Sequence, residues 1–174
     1  MPAAQPEAPT KQERVDFLKQ IIGFSEGNVR SYDTKAQISL AAFVLSANPL
    51  VAIANSGCSA AGEKAVLMVL VPAYFATILS YMWVIWPVAP PEARLTDGLK
   101  PQGIFFVHDP MMLGSAGFID RLGKLALEPE LTAEALKLAH IRRVKAVRFK
   151  AALVATLIAY TMMAIAFFFI GRCF

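Results

Sequence analysis

The chain has 174 residues, of which 56% are apolar and only 17% charged, and its mean hydropathy is +0.51. A soluble domain of this length carries roughly a quarter charged residues and slightly under half apolar ones. The balance excludes a disordered chain, argues against an ordinary soluble globule and leaves room for about one domain. Membrane residence is therefore the first expectation.

Residues 1–11 are Pro/Ala-rich, with no basic segment leading into an apolar core, and read as a flexible tail rather than a cleaved signal peptide. Residues 12–35 read as an amphipathic helix that leads straight into the first apolar run. Val15, Leu18, Ile22, Ser25, Val29, Tyr32 and Ala36 recur at alternating steps of three and four, the spacing of a coiled-coil seam. Phe17, Ile21 and Phe24 form a second stripe beside it, which predicts a helix buried on two sides. Gly23 and Gly27 lower its intrinsic stability, so partners are expected.

Three apolar runs follow. Ala36–Ala54 is 19 residues long with Gln37, Asn48 and Pro49 inside it. Pro49 removes a backbone donor and is expected to kink the helix, a defect that packed neighbours can absorb. The other reading of this run is a re-entrant or interfacial helix. Ala65–Trp86 is a run of 22 residues without a charge, and Ala151–Gly171 is another of 21, each long enough for a hydrocarbon core of about 30 Å. Three spans are predicted, with residues 55–64 linking the first two and 172–174 as a tail.

Lys and Arg fix the expected orientation. Five precede the first span, one lies in the first loop, ten lie between Val88 and Lys150, and one follows the last span. That places 15 on the amino-terminal side against 2 opposite, which predicts an inner-membrane protein with its N-terminus cytoplasmic and its C-terminus periplasmic. The net charge of +4 is that of membrane flanks and calls for no nucleic-acid polymer. Cys58 and Cys173 fall on the outer side, where a disulfide or two free thiols both remain open.

Residues 87–150 open with a linker, Trp86–Gly103, whose four prolines and two glycines forbid regular structure. The apolar knot Ile104–Leu113 is too short to cross a bilayer and belongs to a core or an interface. Ser115–Leu127 reads as a short amphipathic helix. Pro129 suits the first turn of the last helix, and Glu130 suits its amino-terminal dipole. From there to Gly171 nothing interrupts the pattern. The basic cluster Ile141–Lys150 carries Arg142, Arg143, Lys145, Arg148 and Lys150 around the helix. It reads as a collar against anionic headgroups, at about 1 kcal/mol per basic residue. A phosphate clamp is the sharper alternative.

Catalytic signals are lacking. His108-Asp109 has only His140 as a second histidine in the chain, so a structural histidine is the plainer reading, and no metal is expected. The glycine segments GLKPQG and GSAG lack the Lys and Ser/Thr of a phosphate loop, and no G-x-S-x-G elbow occurs. A non-enzymatic protein without a cofactor is expected. The spans hold no ionisable residue, which disfavours proton-coupled transport. Three spans enclose a pore only as oligomers.

Tyr32-Asp33-Thr34-Lys35-Ala36-Gln37, followed by ISLAAFVLSAN, resembles the D-x-K-A entry to the first helix of the transmembrane Pycsar effectors. The likeness extends to Trp86-Pro87 at the end of the second span, the aromatic stretch Ile104–Val107 and the long basic helix of the third. The resemblance implies an all-α membrane protein with three transmembrane helices, the first and third extending into the cytoplasm, and a small cytoplasmic helical subdomain. It implies a membrane effector of a two-gene antiphage system, activated by a cyclic pyrimidine nucleotide, cUMP or cCMP, from an adjacent pyrimidine cyclase. Such an effector impairs inner-membrane integrity and kills the infected cell. The chain departs from the expected ligand machinery in having no separate cyclic-nucleotide-binding β-barrel, so the compact cytoplasmic part would hold the ligand.

A cyclic nucleotide offers one negative phosphate and one flat base. The candidates by position are Arg30, Tyr32, Asp33 and Lys35 at the membrane entry of the first helix, Phe106, His108 and Asp109 in the knot, and Arg142 and Arg143 on the last helix. For Asp33 and Lys35 the alternative is a helix-start and snorkelling pair at the headgroups. For the others it is a structural role. Binding that favours an open or oligomeric arrangement, with a homo-oligomer as the expected assembly, would be a population shift. Two other functions stay open: an accessory or scaffolding membrane subunit, and a constitutive small channel subunit.

Overall fold

The structure is a computed structural model that describes residues 10–54, 60–89 and 126–170. Helix accounts for 93% of it, with no strand among the described residues. Four helices make up the described chain: α1 (Lys11–Leu45), α2 (Asn48–Ala54), α3 (Ala60–Ile85) and α4 (Leu127–Ile170). Three segments are long and apolar enough to cross a membrane, within Lys11–Ala52, Ala65–Ile85 and Leu127–Phe168. The fold class is therefore the all-helical, three-span one that the sequence predicts.

Each helix starts and stops for a local reason. At the head of α1 the Thr10 N–H donates to Glu13 Oε2 at 2.6 Å, and the Glu13 N–H donates to Thr10 Oγ1 at 3.3 Å. This reciprocal capping box satisfies two amides that the first turn leaves free. Near the other end, Pro49 has no N–H to continue the hydrogen-bond ladder of α1. The chain breaks at Ser46–Ala47 and restarts as α2, with Pro49 in a first turn where a missing N–H costs little. Pro49 thus acts as a starter, and the expected kink becomes a break between two helices. α3 takes in Pro72 without ending. Pro129 lies in the first turn of α4, flanked by Glu128 and Glu130, which favour its amino-terminal dipole. The 44 residues of α4 make a rod of about 66 Å.

The chain divides into two compact units, one of Met1–Val29 with Ala89–Arg142, the other of Arg30–Val88 with Arg143–Phe174. In the first unit, Arg14 Nε donates to Glu128 Oε1 at 2.9 Å, and Val15 and Ser25 of the α1 seam are buried. The opening turns of α4 are buried at Glu130, Leu131, Ala133, Ala135 and Lys137. Phe17 and Phe24, however, are 63% and 68% exposed. Two members of the second predicted stripe are thus exposed, while Ile21 between them is half-buried.

The second unit packs α2 and α3 with the parts of α1 and α4 that belong to it. Along α4, Ala152, Ala159 and Ala166 recur every seven residues and are all buried. Such small side chains let helix backbones approach where lipid offers no hydrophobic driving force. One cluster gathers Phe43, Leu70, Ala159, Met163 and Ala166; the other gathers Ala36, Tyr81, Val84 and Ala152. The order of these contacts makes α1 and α4 parallel, with α3 antiparallel to both. The outward faces are apolar and exposed, as at Met68, Leu79 and Leu157, which suits contact with acyl chains.

Candidate functional site

The D-x-K-A segment lies on α1 within the second unit, and its residues have separate tasks. Ala36 is fully buried against Tyr81, Val84 and Ala152. Three positions earlier, one helical turn away, Asp33 accepts a charge-assisted hydrogen bond from Lys145 Nζ on α4. The Lys145 side chain is only 6% exposed and that of Asp33 30%, so the pair is shielded on the lysine side. A buried ammonium without a partner is costly, so Asp33 is the group that makes Lys145 tolerable there. Tyr32 packs its ring 6.0 Å from that of Phe149 on the same two helices.

One turn beyond Lys145, Arg148 reaches α3. Its guanidinium lies 4.7 Å from the centroid of the Trp83 ring, and Nη1 donates to the Trp83 carbonyl at 3.0 Å. That carbonyl belongs to the last turn of α3, where intrahelical donors have run out. A cation there also suits the helix dipole. Arg148 Nε is buried with no hydrogen-bond partner. Arg30, Lys35, Arg143 and Lys150 are exposed. In the basic cluster of α4, Lys145 and Arg148 thus turn inward, while Arg143 and Lys150 are free to meet headgroups or an anion.

The sequence-predicted residues therefore fall into groups. Asp33 is joined to α4 through Lys145, and Tyr32 through Phe149. Arg30, Lys35 and Arg143 present exposed charge. Arg142 is half-buried on α4 in the first unit. Phe106, His108 and Asp109 lie outside the described residues. Lys145, Arg148 and Trp83 are contact residues that the sequence reading did not single out. Among the described residues no group of three His, Cys, Asp or Glu side chains is placed to hold a metal.

Each unit also carries a groove. One, of about 390 Å³, lies between α3 and α4 along Val66, Val69, Leu70, Met162 and Ile165, and is wholly apolar. It offers nothing to orient a phosphate or a base. The other, of about 500 Å³, belongs to the first unit, where Lys11, Gln12 and Glu128 border it beside Val15, Leu127 and Pro129. Also in that unit, burial pushes the Glu134 carboxyl above its usual value of 4.5. Lys137 opposes the shift, and the charges of Glu26 and Glu130 add to it.

Three apolar helices, with charged and aromatic side chains gathered where α1, α3 and α4 meet, define a multi-pass membrane protein. A family model described as PycTM, Pycsar effector protein domain, matches residues 17–171, and the chain belongs to that family. It is thus a membrane effector of Pycsar antiphage defence, acting in abortive infection, and its family is one of effector domains not known as enzymes. Membership implies a partner cyclase and a nucleotide signal. No curated protein and no solved structure matches the chain.

Proposed function

We propose that this effector binds a cyclic pyrimidine nucleotide, cUMP or cCMP, from an adjacent pyrimidine cyclase and then impairs the inner membrane of the infected cell. The family match over residues 17–171 carries this reading. In it the N-terminus is cytoplasmic and the C-terminus periplasmic, as the distribution of Lys and Arg favours, and the protein acts as a homo-oligomer.

The ligand phosphate is assigned to the exposed cations of the membrane entry, Arg30, Lys35 and Arg143, with Tyr32 near the base. Arg142, Phe106, His108 and Asp109 complete the candidate set. An incoming phosphate also competes with Asp33 for Lys145, which would loosen the ion pair joining α1 to α4. Both helices are continuous over more than thirty residues, so a change at one end of either is felt along it. The ligand favours the open arrangement by its difference in affinity for the two states.

Calorimetry of the full chain in detergent against cUMP, cCMP, cAMP and cGMP tests the first step, and dye release from liposomes tests the second. Binding of a pyrimidine nucleotide together with release is expected. Liposomes that stay sealed with every cyclic nucleotide would overturn the reading. Leakage that needs no nucleotide would favour the constitutive channel instead.

A further inference from the structure

The break between α1 and α2 lies in the middle of the first apolar run, where no water is on hand for freed backbone groups. Phe43 and Val44 sit just before it. In an unbroken helix their carbonyls would take the amides of Ala47 and Asn48, four residues on. Instead the Ala47 N–H turns to the Val44 carbonyl at 3.2 Å, and the Ser46 N–H is shared between Ala42 and Phe43. Pro49 has no N–H to offer the Leu45 carbonyl at all.

Side chains from both other helices close over this defect. Ser46 Oγ donates to the Phe43 carbonyl at 2.7 Å, and Tyr160 OH of α4 lies 2.7 Å from Ser46 Oγ. With the serine proton committed to Phe43, the tyrosine is the donor of that second bond. From α3, Tyr74 OH points at the same place, 3.4 Å from the Phe43 carbonyl and 3.3 Å from that of Val44. The Phe43 ring is held between the two tyrosines, stacked on Tyr74 at 4.6 Å and edge-on to Tyr160 at 5.4 Å. Phe43 itself is almost fully buried.

We propose that Tyr74 and Tyr160 form a hydroxyl latch that keeps the break sealed, and that its release is the step that makes the bilayer permeable. This rests on the membrane-impairing reading above and supplies its moving part. When α3 moves away, the Phe43 and Val44 carbonyls lose the Tyr74 hydroxyl and keep only donors of their own turn; when α4 moves away, Ser46 Oγ loses Tyr160, and water is the remaining source for the vacated acceptor sites. A hydrated break at mid-span is a path for protons and small ions. The long Tyr74 hydrogen bonds suit a contact that has to open.

The test uses the full chain in dye-loaded liposomes without nucleotide. Tyr74→Phe, Tyr160→Phe and Ser46→Ala each remove a latch hydroxyl and keep most of the volume. Tyr81→Phe is the control, because it removes a buried hydroxyl from a different α3–α4 contact, with Thr156 at 2.9 Å. The latch variants are expected to leak at least about tenfold faster than the parent chain, whereas Tyr81→Phe stays sealed. Val44→Cys, in a background with Cys58→Ala and Cys173→Ala, gives a second readout. Its labelling by a water-soluble maleimide should rise in Tyr74→Phe, and this holds even if leakage is limited elsewhere in the protein. Latch variants that stay sealed and unlabelled would overturn the proposal, as would equal leakage from Tyr81→Phe. If the parent chain stays sealed with every cyclic nucleotide while the latch variants leak, the latch stands and the nucleotide trigger falls.

Discussion

Lys145 on α4 is buried and directs its ammonium at the carboxylate of Asp33 on α1, a residue 112 positions earlier in the chain. The two charges are tolerable only together. Removing one partner of a buried pair leaves the other uncompensated and costs about 3–5 kcal/mol when both are fully enclosed. Here water still reaches part of Asp33, so Lys145→Met and Asp33→Asn should each cost about 2 kcal/mol. Lys145→Met combined with Asp33→Asn should recover most of the loss. Thermal melts of the purified chain in detergent complete the double-mutant cycle; equal and additive losses would show that the pair is not coupled.

Tyr81 is almost completely enclosed, and its hydroxyl lies 2.9 Å from that of Thr156. Hydrogen bonds between membrane helices average about 0.6 kcal/mol. Tyr81→Phe should therefore lower stability by no more than about 1 kcal/mol. Tyr81→Ala also empties an aromatic site beside Ala36 and Val84 and should cost about 3–5 kcal/mol. The two values, from unfolding in mixed micelles, separate the hydroxyl from the packing.

The capping box at Thr10 and Glu13 carries a pH signature. The Thr10 amide, and then its hydroxyl, stabilise the Glu13 carboxylate and hold its pKa below 4.5. The contribution is thus present above the ordinary value of 4.5 and lost as pH falls through the lowered one. Amide exchange at Lys11–Arg14 should speed up on acidification across that range. Thr10→Ala keeps the amide and removes only the hydroxyl, so it should weaken the pH dependence, whereas Glu13→Gln should abolish it.

Glu134 runs in the opposite sense. Burial raises its pKa above 4.5, so the folded chain holds the proton more tightly than the unfolded one. Its contribution is complete below the unfolded value and is lost as pH rises through the raised one. Glu134→Gln should remove that part of the pH dependence and raise stability at neutral pH by less than about 1 kcal/mol. Melts at several pH values, read by circular dichroism, decide it; a variant with an unchanged slope would place the titration elsewhere.

Periodicity made most of the architecture legible. The three–four spacing from Val15 to Ala36 marked the face of α1 that turns inward, and the structure buries Val15, Ser25 and Ala36 on it. Pro129 and the unbroken run after it located α4. Phe17 and Phe24 stay exposed because an apolar stripe shows that a face is sticky, and no single chain need cover it. Contacts between helices were out of reach. Asp33 could be singled out, but no local signal ties it to Lys145 rather than to Arg142 or Arg143. Likewise Phe43, Tyr74 and Tyr160 sit in apolar runs where any aromatic can equally face lipid. The cap was legible in principle, since Thr10-Lys11-Gln12-Glu13 has the T-x-x-E pattern.

The parallel pairing of α1 with α4 also sets the order in which the protein can be assembled. The first and last long helices are each other's partners, so Asp33 and Ser46 wait for Lys145 and Tyr160, synthesised 112 and 114 residues later. The α1–α3 hairpin can form earlier, through Phe43 and Tyr74, which are 31 residues apart. During synthesis there is consequently an interval in which α1 is inserted with its carboxylate unmatched and its broken turn covered from one side only. Closing that interval is the task of α4.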